Sequence, residues 1–158
     1  MNRVEFEKLI GDARRERIDR YVVGVLISKG DFVLVVKRRA DDFMGGLHEL
    51  PGGGVASGES IRDAVIRETL EETGLRITTI KEYLGHFDYR SETGEVNRQF
   101  NFWAGSRNHT IQLSDEHAEY AWITRSTVDK YFRPDDPVKA AIMHFWDRRD
   151  RMREKLKQ

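Results

Sequence analysis

The stretch of sequence that decides the fold is GGVASGESIRDAVIRETLEETGL, which runs from Gly53 to Leu75. Its glycine-rich beginning indicates a backbone turn of a kind that glycine forms at the least steric cost. Signals for both ends of a helix follow, because Ser60 with Asp63 has the pattern of a capping box and Gly74 is a left-handed C-terminal stop. We therefore predict a glycine loop that leads at once into a helix over residues 61–73.

Three glutamates fall on one side of this predicted helix. Glu68, Glu71 and Glu72 have the spacing i, i+3 and i+4, so their carboxylates share about one third of the circumference. Like charges at this spacing repel each other unless a cation neutralises them, and oxygen ligands at this density suit Mg²⁺ or Mn²⁺. Taken alone, three glutamates are more often the solvated face of a helix.

An apolar arc beside the glutamates changes this interpretation. Val65, Ile66, Thr69 and Leu70 form the neighbouring face, so we expect the helix to pack on a sheet with its acidic side at the edge of the core. The glycine turn can bring backbone N–H and carbonyl groups against a ligand, and a helix N-terminus favours anions. The segment therefore predicts a crevice in which a divalent metal and a phosphate meet.

The composition of the whole chain limits the classes of function. Its 158 residues fit one domain, and Lys+Arg and Asp+Glu balance at 27 each, so no overall field recruits nucleic acid or an anionic membrane. The absence of cysteine excludes disulfides, thiolate-bound zinc and a cysteine nucleophile. Since no apolar run approaches ~18 residues and the N-terminus is charged, we expect a cytoplasmic protein without a membrane span.

Strands are predicted on both sides of the central helix. They are short, mostly apolar or alternating segments over residues 21–27, 32–37, 47–50, 76–89, 97–104 and 120–123. Further helices are predicted over residues 4–18 and from Pro137 into a basic tail, with a loop over residues 40–46. This order predicts an α/β fold, a mixed sheet with helices on both faces, in a single domain over residues 1–158.

The central segment resembles the Nudix box of MutT-like hydrolases. That box is a glycine, five residues, Glu, seven residues, and then Arg-Glu-apolar-x-Glu-Glu-x-Gly-apolar. Here it reads Gly53, Glu59 and RETLEETGL over residues 67–75. Thr69 replaces the usual aliphatic residue, and its β-branched side chain still suits the packed arc.

The resemblance implies a Nudix-type α/β/α sandwich and hydrolysis of a nucleoside diphosphate linked to another moiety. The substrate would be a nucleotide sugar or similar conjugate, or a (deoxy)nucleoside triphosphate. By similarity, the oxygen ligands of Mg²⁺, with Mn²⁺ as a substitute, come from the carbonyl of Gly52 and from Glu68, Glu71 and Glu72. Glu59 would pair with Arg67 and so orient Glu68. A metal-bound water is a good nucleophile, so no covalent intermediate is needed.

Three residues compete for the role of general base. In the family a Glu or His in the loop before the last strand often binds another metal or deprotonates water, and Glu116 and His117 stand there. Glu68 is the rival on the helix. A carboxylate near a metal and a histidine can each accept the proton, so the assignment stays open.

Residues before the box supply further candidates. Residues 46–52, GLHELPG, also resemble the family, although His48 stands where the family often has Trp. Glu49 is predicted to contact substrate or metal. Arg38 and Arg39 end the second strand and can bind phosphate through their guanidinium groups, but a solvated strand end explains them equally well.

Other classes of function remain open. A Nudix-fold domain that binds nucleotides or RNA ends, with catalysis lost or incidental, fits the same box, and so does a metal-containing structural domain. The intact Glu59, Arg67 and glutamate set favours hydrolysis, because a binding module has no need to hold carboxylates together. We expect a small nucleotide as partner and no nucleic acid, and a homodimer is compatible with the sequence.

Overall fold

The computed structural model describes residues 1–42 and 44–158; Phe43, in the predicted loop over residues 40–46, lies outside this description. The described residues form three α-helices, α1 (Arg3–Arg15), α2 (Ile61–Thr73) and α3 (Pro137–Leu156). The same residues form seven strands, β1 (Arg20–Lys29), β2 (Phe32–Arg38), β3 (His48–Glu49), β4 (Gly52–Gly54), β5 (Ile77–Arg90), β6 (Val96–Ser106) and β7 (His117–Ile123). A 3-10 helix, Arg125–Lys130, precedes α3.

Helix α2 has the bounds that its capping signals predict. Ser60 accepts a hydrogen bond from the backbone N–H of Asp63 at 3.0 Å. At the other end Gly74 adopts a φ of 74° and donates its N–H to the carbonyl of Leu70 at 2.9 Å. Both signals act over a few residues, which is why the sequence alone locates this helix.

Helix α1 is shorter than the predicted helix over residues 4–18. Asn2 and Glu5 form a capping box at its start. The helix ends at Arg15 because Arg17 has a φ of 57°, a left-handed conformation that turns the chain toward β1.

The glycine segment is a strand, where a turn was predicted. Residues 52–54 pair antiparallel with Val22, Val23 and Gly24 of β1. A Cβ atom on Gly52 would collide with the carbonyl oxygen of Val23, so only glycine allows the two backbones to approach this closely. The glycines therefore allow β4 to pair closely with β1, beside the start of α2.

Strand β1 lies at the centre of a mixed sheet. It runs parallel to β6 and antiparallel to β4, and its end pairs antiparallel with β2. Strand β5 continues the sheet beyond β6, while β3 and β7 both pair antiparallel with β2. One long strand thus connects the glycine segment on one side with β6 on the other.

Helices cover both faces of this sheet, which gives the expected α/β/α sandwich. On one face Phe145 and Trp146 of α3 pack with Trp103, and the rings of Phe145 and Trp103 are 5.1 Å apart. On the opposite face Val65 of α2 packs with Phe102, whose ring also lies 5.7 Å from that of Phe6 in α1. Among residues 1–42 and 44–158, no helix is long and apolar enough to cross a membrane.

The core-facing side of α2 differs in part from the predicted arc. Val65 and Thr69 are fully buried, and the hydroxyl of Thr69 donates to the carbonyl of Val65 at 2.7 Å. Leu70, however, is 38% exposed, and Glu72 is only 5% exposed. The helix is rotated so that a glutamate, rather than this leucine, turns inward.

Candidate functional site

Four carboxylates line one cavity at the edge of the sheet. The cavity has a volume of about 260 Å³ and lies between the glycine strand β4, helix α2 and the segment before β7. Its acidic residues are Glu49, Glu68, Glu72 and Glu116, and Arg38 is a basic residue of the same wall. Residues distant in sequence therefore meet in one place.

Two of these carboxylates, Glu68 and Glu72, contact the glycine strand β4 from helix α2. The backbone N–H of Gly52 donates to Oε2 of Glu72 at 2.9 Å. A Cβ atom on Gly53 would collide with the carboxylate of Glu68. The glycines thus leave room for the acidic side of the helix, as well as for the pairing with β1.

Arg67 binds several glutamates at once. Its Nε and Nη2 donate to the two oxygens of Glu59 at 2.7 and 2.8 Å, the bidentate pair that the resemblance implies. Its Nη1 donates to Glu68 at 2.9 Å and to Glu71 at 3.1 Å. The hydrogen bonds from Arg67 hold the pKa of Glu59 down at about 2. This arginine supplies positive charge beside the acidic side of α2.

Burial sets the protonation of the two inner glutamates. It raises the pKa of Glu72 to about 9, with Glu49 and Glu116 adding to the shift and the N–H of Gly52 opposing it. It also raises the pKa of Glu68, against the influence of Arg67. Carboxylates that are costly to ionise where they stand would be stabilised as anions by a bound cation. The donor set therefore fits a hard divalent ion.

The glutamates do not already surround a common point. Within the described part of the chain, no group of three or more Asp, Glu or His side chains stands ready to hold a metal ion. Gly52, whose carbonyl is one of the predicted ligands, lines the cavity together with Glu68 and Glu72. Glu71 does not line it; its side chain is 58% exposed and forms an ion pair with Arg67. Three of the four predicted metal ligands line one cavity, and the fourth, Glu71, lies outside its wall.

The two base candidates of the last loop face different surroundings. Glu116 lines the cavity and lies within hydrogen-bonding reach of Glu72. The His117 side chain is 1% exposed, and its Nε2 lies 2.8 Å from Oε1 of Glu49. Of the predicted bases, Glu116 and Glu68 face the cavity directly, and His117 reaches it through Glu49.

The two arginines at the end of β2 lie in different surroundings. Arg38 lines the cavity, donates to Glu49 at 3.3 Å and to Asp42 at 2.7 Å. Arg39 lies 3.4 Å from Asp41, is about half exposed and is not part of the cavity wall. Only the first of the two predicted phosphate-binding arginines is near the carboxylates.

The neighbours His48 and Glu49 point to opposite sides of β3. His48 pairs with Lys37 and its ring lies 5.0 Å from that of Tyr131, on the side of α3. Glu49 pairs with Val36 and faces the cavity. Because strand side chains alternate, the residue that replaces the family's Trp is directed away from the carboxylates.

Tyr89 and Gln99 also belong to the cavity wall, and the sequence did not predict that they lie there together. Tyr89 of β5 and Gln99 of β6 lie in the wall, and Gln99 Nε2 donates to Oδ1 of the buried Asn101 at 2.9 Å. The two amides fill the space that a Cβ on Gly24 would need. The available signal was the polar side chains at positions 97, 99 and 101, which share one side of a strand whose later residues are mostly apolar.

Comparisons with known proteins identify the family of the chain. A NUDIX domain model matches residues 18–144. A nucleoside triphosphatase NudI of Escherichia coli O139:H28 is 33% identical over 115 residues, which are 66% of this chain and 81% of that protein. An ADP-ribose pyrophosphatase of Methanocaldococcus jannaschii is 45% identical over 60 residues, so the match covers 38% of this chain and about a third (34%) of that protein.

A solved structure shares the fold. The crystal structure of a MutT protein from Methanosarcina mazei Go1 superposes with a TM-score of 0.69 at 25% identity, covering 83% of this chain and 94% of that one. The shared fold places the strands and helices around the cavity in a known architecture. Since the family model also spans most of the chain, the protein belongs to the NUDIX family and is a Nudix hydrolase.

Proposed function

We propose that this Nudix hydrolase cleaves a diphosphate linkage in a nucleotide with Mg²⁺, for which Mn²⁺ substitutes. The observation that carries the proposal is the cavity in which Glu49, Glu68, Glu72 and Glu116 meet beside the glycine strand. Glu68, Glu72 and the carbonyl of Gly52 would hold the ion, with Glu71 available outside the cavity wall. When bound, the ion would activate water and offset negative charge on the phosphates.

The charge of the cavity favours binding of a cation before the substrate. Two like charges about 4 Å apart near a protein surface repel each other by about 4 kcal/mol. A diphosphate meets this repulsion from each carboxylate of the wall that is ionised, and Arg38 is a basic lining residue that offsets part of it. We therefore expect nucleotide binding to depend on the divalent ion.

Glu116 is the general base that we favour. It lines the cavity, whereas Glu68 is held by Arg67 and His117 by Glu49. Its pairing with Glu72 places it beside a proposed metal ligand. A carboxylate at this position can accept the proton of the attacking water.

Two substrate classes fit the proposal. One is a nucleoside diphosphate conjugate such as a nucleotide sugar or ADP-ribose, the substrate type named for the archaeal relative. The other is a nucleoside triphosphate, the type named for the bacterial relative. Tyr89 and Gln99 are the residues that we propose to contact the nucleoside in either case, through ring stacking and an amide hydrogen bond.

The test is product identification by mass spectrometry. Purified protein with Mg²⁺ is incubated with nucleoside triphosphates, nucleotide sugars, ADP-ribose, dinucleoside polyphosphates and capped RNA, with a parallel series in a chelator. We expect Mg²⁺-dependent release of a nucleoside monophosphate, with inorganic pyrophosphate as the second product only for a triphosphate. Tight nucleotide binding with no turnover in Mg²⁺ or Mn²⁺ would instead favour a binding or regulatory domain.

A further inference from the structure

We propose that His117 is a positioning residue that fixes the carboxylate of Glu49 in the cavity wall. The inference rests on the proposed function, because an oriented Glu49 matters only if a cation or nucleotide enters the cavity. It gives His117 a role different from that of a base. Contacts, strand register and burial support it independently.

The register of three neighbouring strands brings the residues together. Strand β2 lies between β3 and β7, and Glu49 pairs with Val36 whereas His117 pairs with Arg38. Residues 36 and 38 of one strand face the same side, so their partners do as well. Glu49, Arg38 and His117 consequently share one face of the sheet.

A β-bulge in β7 turns His117 to that face. Lys37 pairs with Glu119 and Arg38 pairs with His117, so Ala118 is an extra residue on β7. In a regular strand His117 and Glu119 would point to the same side. Instead Glu119 is exposed and binds Lys37 at 3.1 Å, while His117 is buried. Bulges commonly re-aim a side chain next to an active site.

The hydrogen bond of His117 fixes its tautomer. We assign Nε2 of His117 as the donor to Oε1 of Glu49, 2.8 Å away, because a carboxylate without a proton only accepts hydrogen bonds. The other ring nitrogen, Nδ1, is buried and has no hydrogen-bond partner among residues 1–42 and 44–158. Because Nε2 contacts Glu49 and Nδ1 is buried, the ring contacts the cavity wall through Glu49.

Glu49 is held from two sides through a single oxygen. Arg38 Nη1 lies 3.3 Å from Oε1, the same atom that accepts from His117. Neither contact uses Oε2, so this second oxygen can bind a ligand while the carboxylate stays fixed. His117 therefore helps to keep one carboxylate of the cavity wall in a fixed position.

Three substitutions of His117 separate positioning from base catalysis. The amide nitrogen of Gln lies near the position of Nε2 and can donate to Glu49, whereas Asn is too short and Leu has no donor. Gln cannot accept a proton as a base does. We expect His117→Gln to retain most of kcat and of the affinity for Mn²⁺, and His117→Asn and His117→Leu to lose ~10–100-fold in affinity for Mn²⁺ together with a loss in kcat. The exposed His144→Gln is the matched control.

Two readouts do not require turnover, which distinguishes a failed inference from a failed proposed function. Mn²⁺ titration of each variant without nucleotide should show weaker binding for Asn and Leu than for Gln. The ¹H–¹⁵N spectrum of the wild-type ring should show a proton on Nε2. Equal losses for Gln and Leu at unchanged melting temperature, unchanged Mn²⁺ affinity in all variants, or a ring that carries its proton on Nδ1 and none on Nε2 would each overturn the inference.

A double substitution tests whether His117 acts through Glu49. Residues that work through one contact show non-additive losses. In a Glu49→Gln background, His117→Leu should cause little further loss of Mn²⁺ affinity. An additive loss would contradict the positioning role.

Discussion

The backbone N–H of Gly52 donates a 2.9 Å hydrogen bond to Oε2 of Glu72. This bond joins the glycine strand to the buried glutamate of α2. It makes the position of the carboxylate depend on a strand that pairs with β1 through residues 52–54. The adjacent Glu71 has no such connection and is bound by Arg67 at the surface.

The two adjacent glutamates should therefore contribute unequally. We expect Glu72→Gln to lower kcat on the order of 10²–10³-fold, about 3–4 kcal/mol of transition-state stabilisation, because it removes a proposed metal ligand that is ionised when the cation is bound. Glu71→Gln should cost about tenfold or less. Steady-state kinetics at saturating Mg²⁺ measures both, with Glu92→Gln in an exposed loop as the control. Equal losses would contradict the different placement of the two carboxylates.

Substitution of two neighbouring glycines should affect different properties, stability for Gly52 and activity for Gly53. Gly52→Ala places a Cβ against the backbone oxygen of Val23, which cannot move freely, so we expect a loss of ~1–3 kcal/mol in the free energy of unfolding. Gly53→Ala places a Cβ against the flexible carboxylate of Glu68, so activity should fall ~10–100-fold with a smaller change in stability. Urea denaturation and kinetics on both variants separate the effects. A stable, fully active Gly52→Ala variant would contradict the close pairing.

Gly24 should control substrate affinity through the amide pair. A Cβ on Gly24 collides with Asn101 Oδ1 and Gln99 Nε2, so Gly24→Ala must displace one or both side chains. If Gln99 binds the nucleoside, Gln99→Leu and Gly24→Ala should each raise KM about tenfold, the value of one hydrogen bond of ~1.4 kcal/mol, with kcat nearly unchanged. An unaltered KM in Gln99→Leu would show that this amide does not contact the nucleotide.

The Glu59–Arg67 pair should stabilise the fold above acidic pH. The pKa of Glu59 falls from an ordinary value of 4.5 to about 2 in the folded protein, so the folded state binds this proton less readily than the unfolded chain. The stabilisation is present above pH 4.5 and is lost as the pH falls from 4.5 toward 2. We expect a contribution of about 1–3 kcal/mol that is absent in Glu59→Gln. Urea denaturation of both proteins at pH 7 and pH 3 measures it, and a constant difference between them would contradict the assignment.

Local signals explain what the sequence predicted well. The bounds of α2 follow from Ser60 and Gly74, which act within one helical turn. The spacing of the glutamates predicted that they share one side of the helix, and two of the three, Glu68 and Glu72, line the same cavity. The sandwich could be anticipated from the resemblance and from the order of strands and helices.

Tertiary packing explains what the sequence could not specify. Spacing shows that Glu71 and Glu72 lie near each other, but the rotation of α2 on the sheet decides which is buried, and it leaves Leu70 exposed where an apolar contact was predicted. Alternation shows that His48 and Glu49 face opposite sides, but only pairing with β2 decides which faces the cavity. The contact between His117 and Glu49 joins residues 68 positions apart, so no local pattern reveals it.

Because of the extra residue at Ala118, the direction of the His117 side chain depends on the number of residues in β7 as well as on their identity. If β7 kept Ala118 but paired with β2 without the bulge, Ala118 would lie opposite Arg38 and the imidazole would point to the same side as Glu119, although every functional side chain was still encoded. A relative that carries the same histidine without the bulge would place it differently. Sequence alignments around this strand should therefore be judged by residue count before side-chain identity is compared.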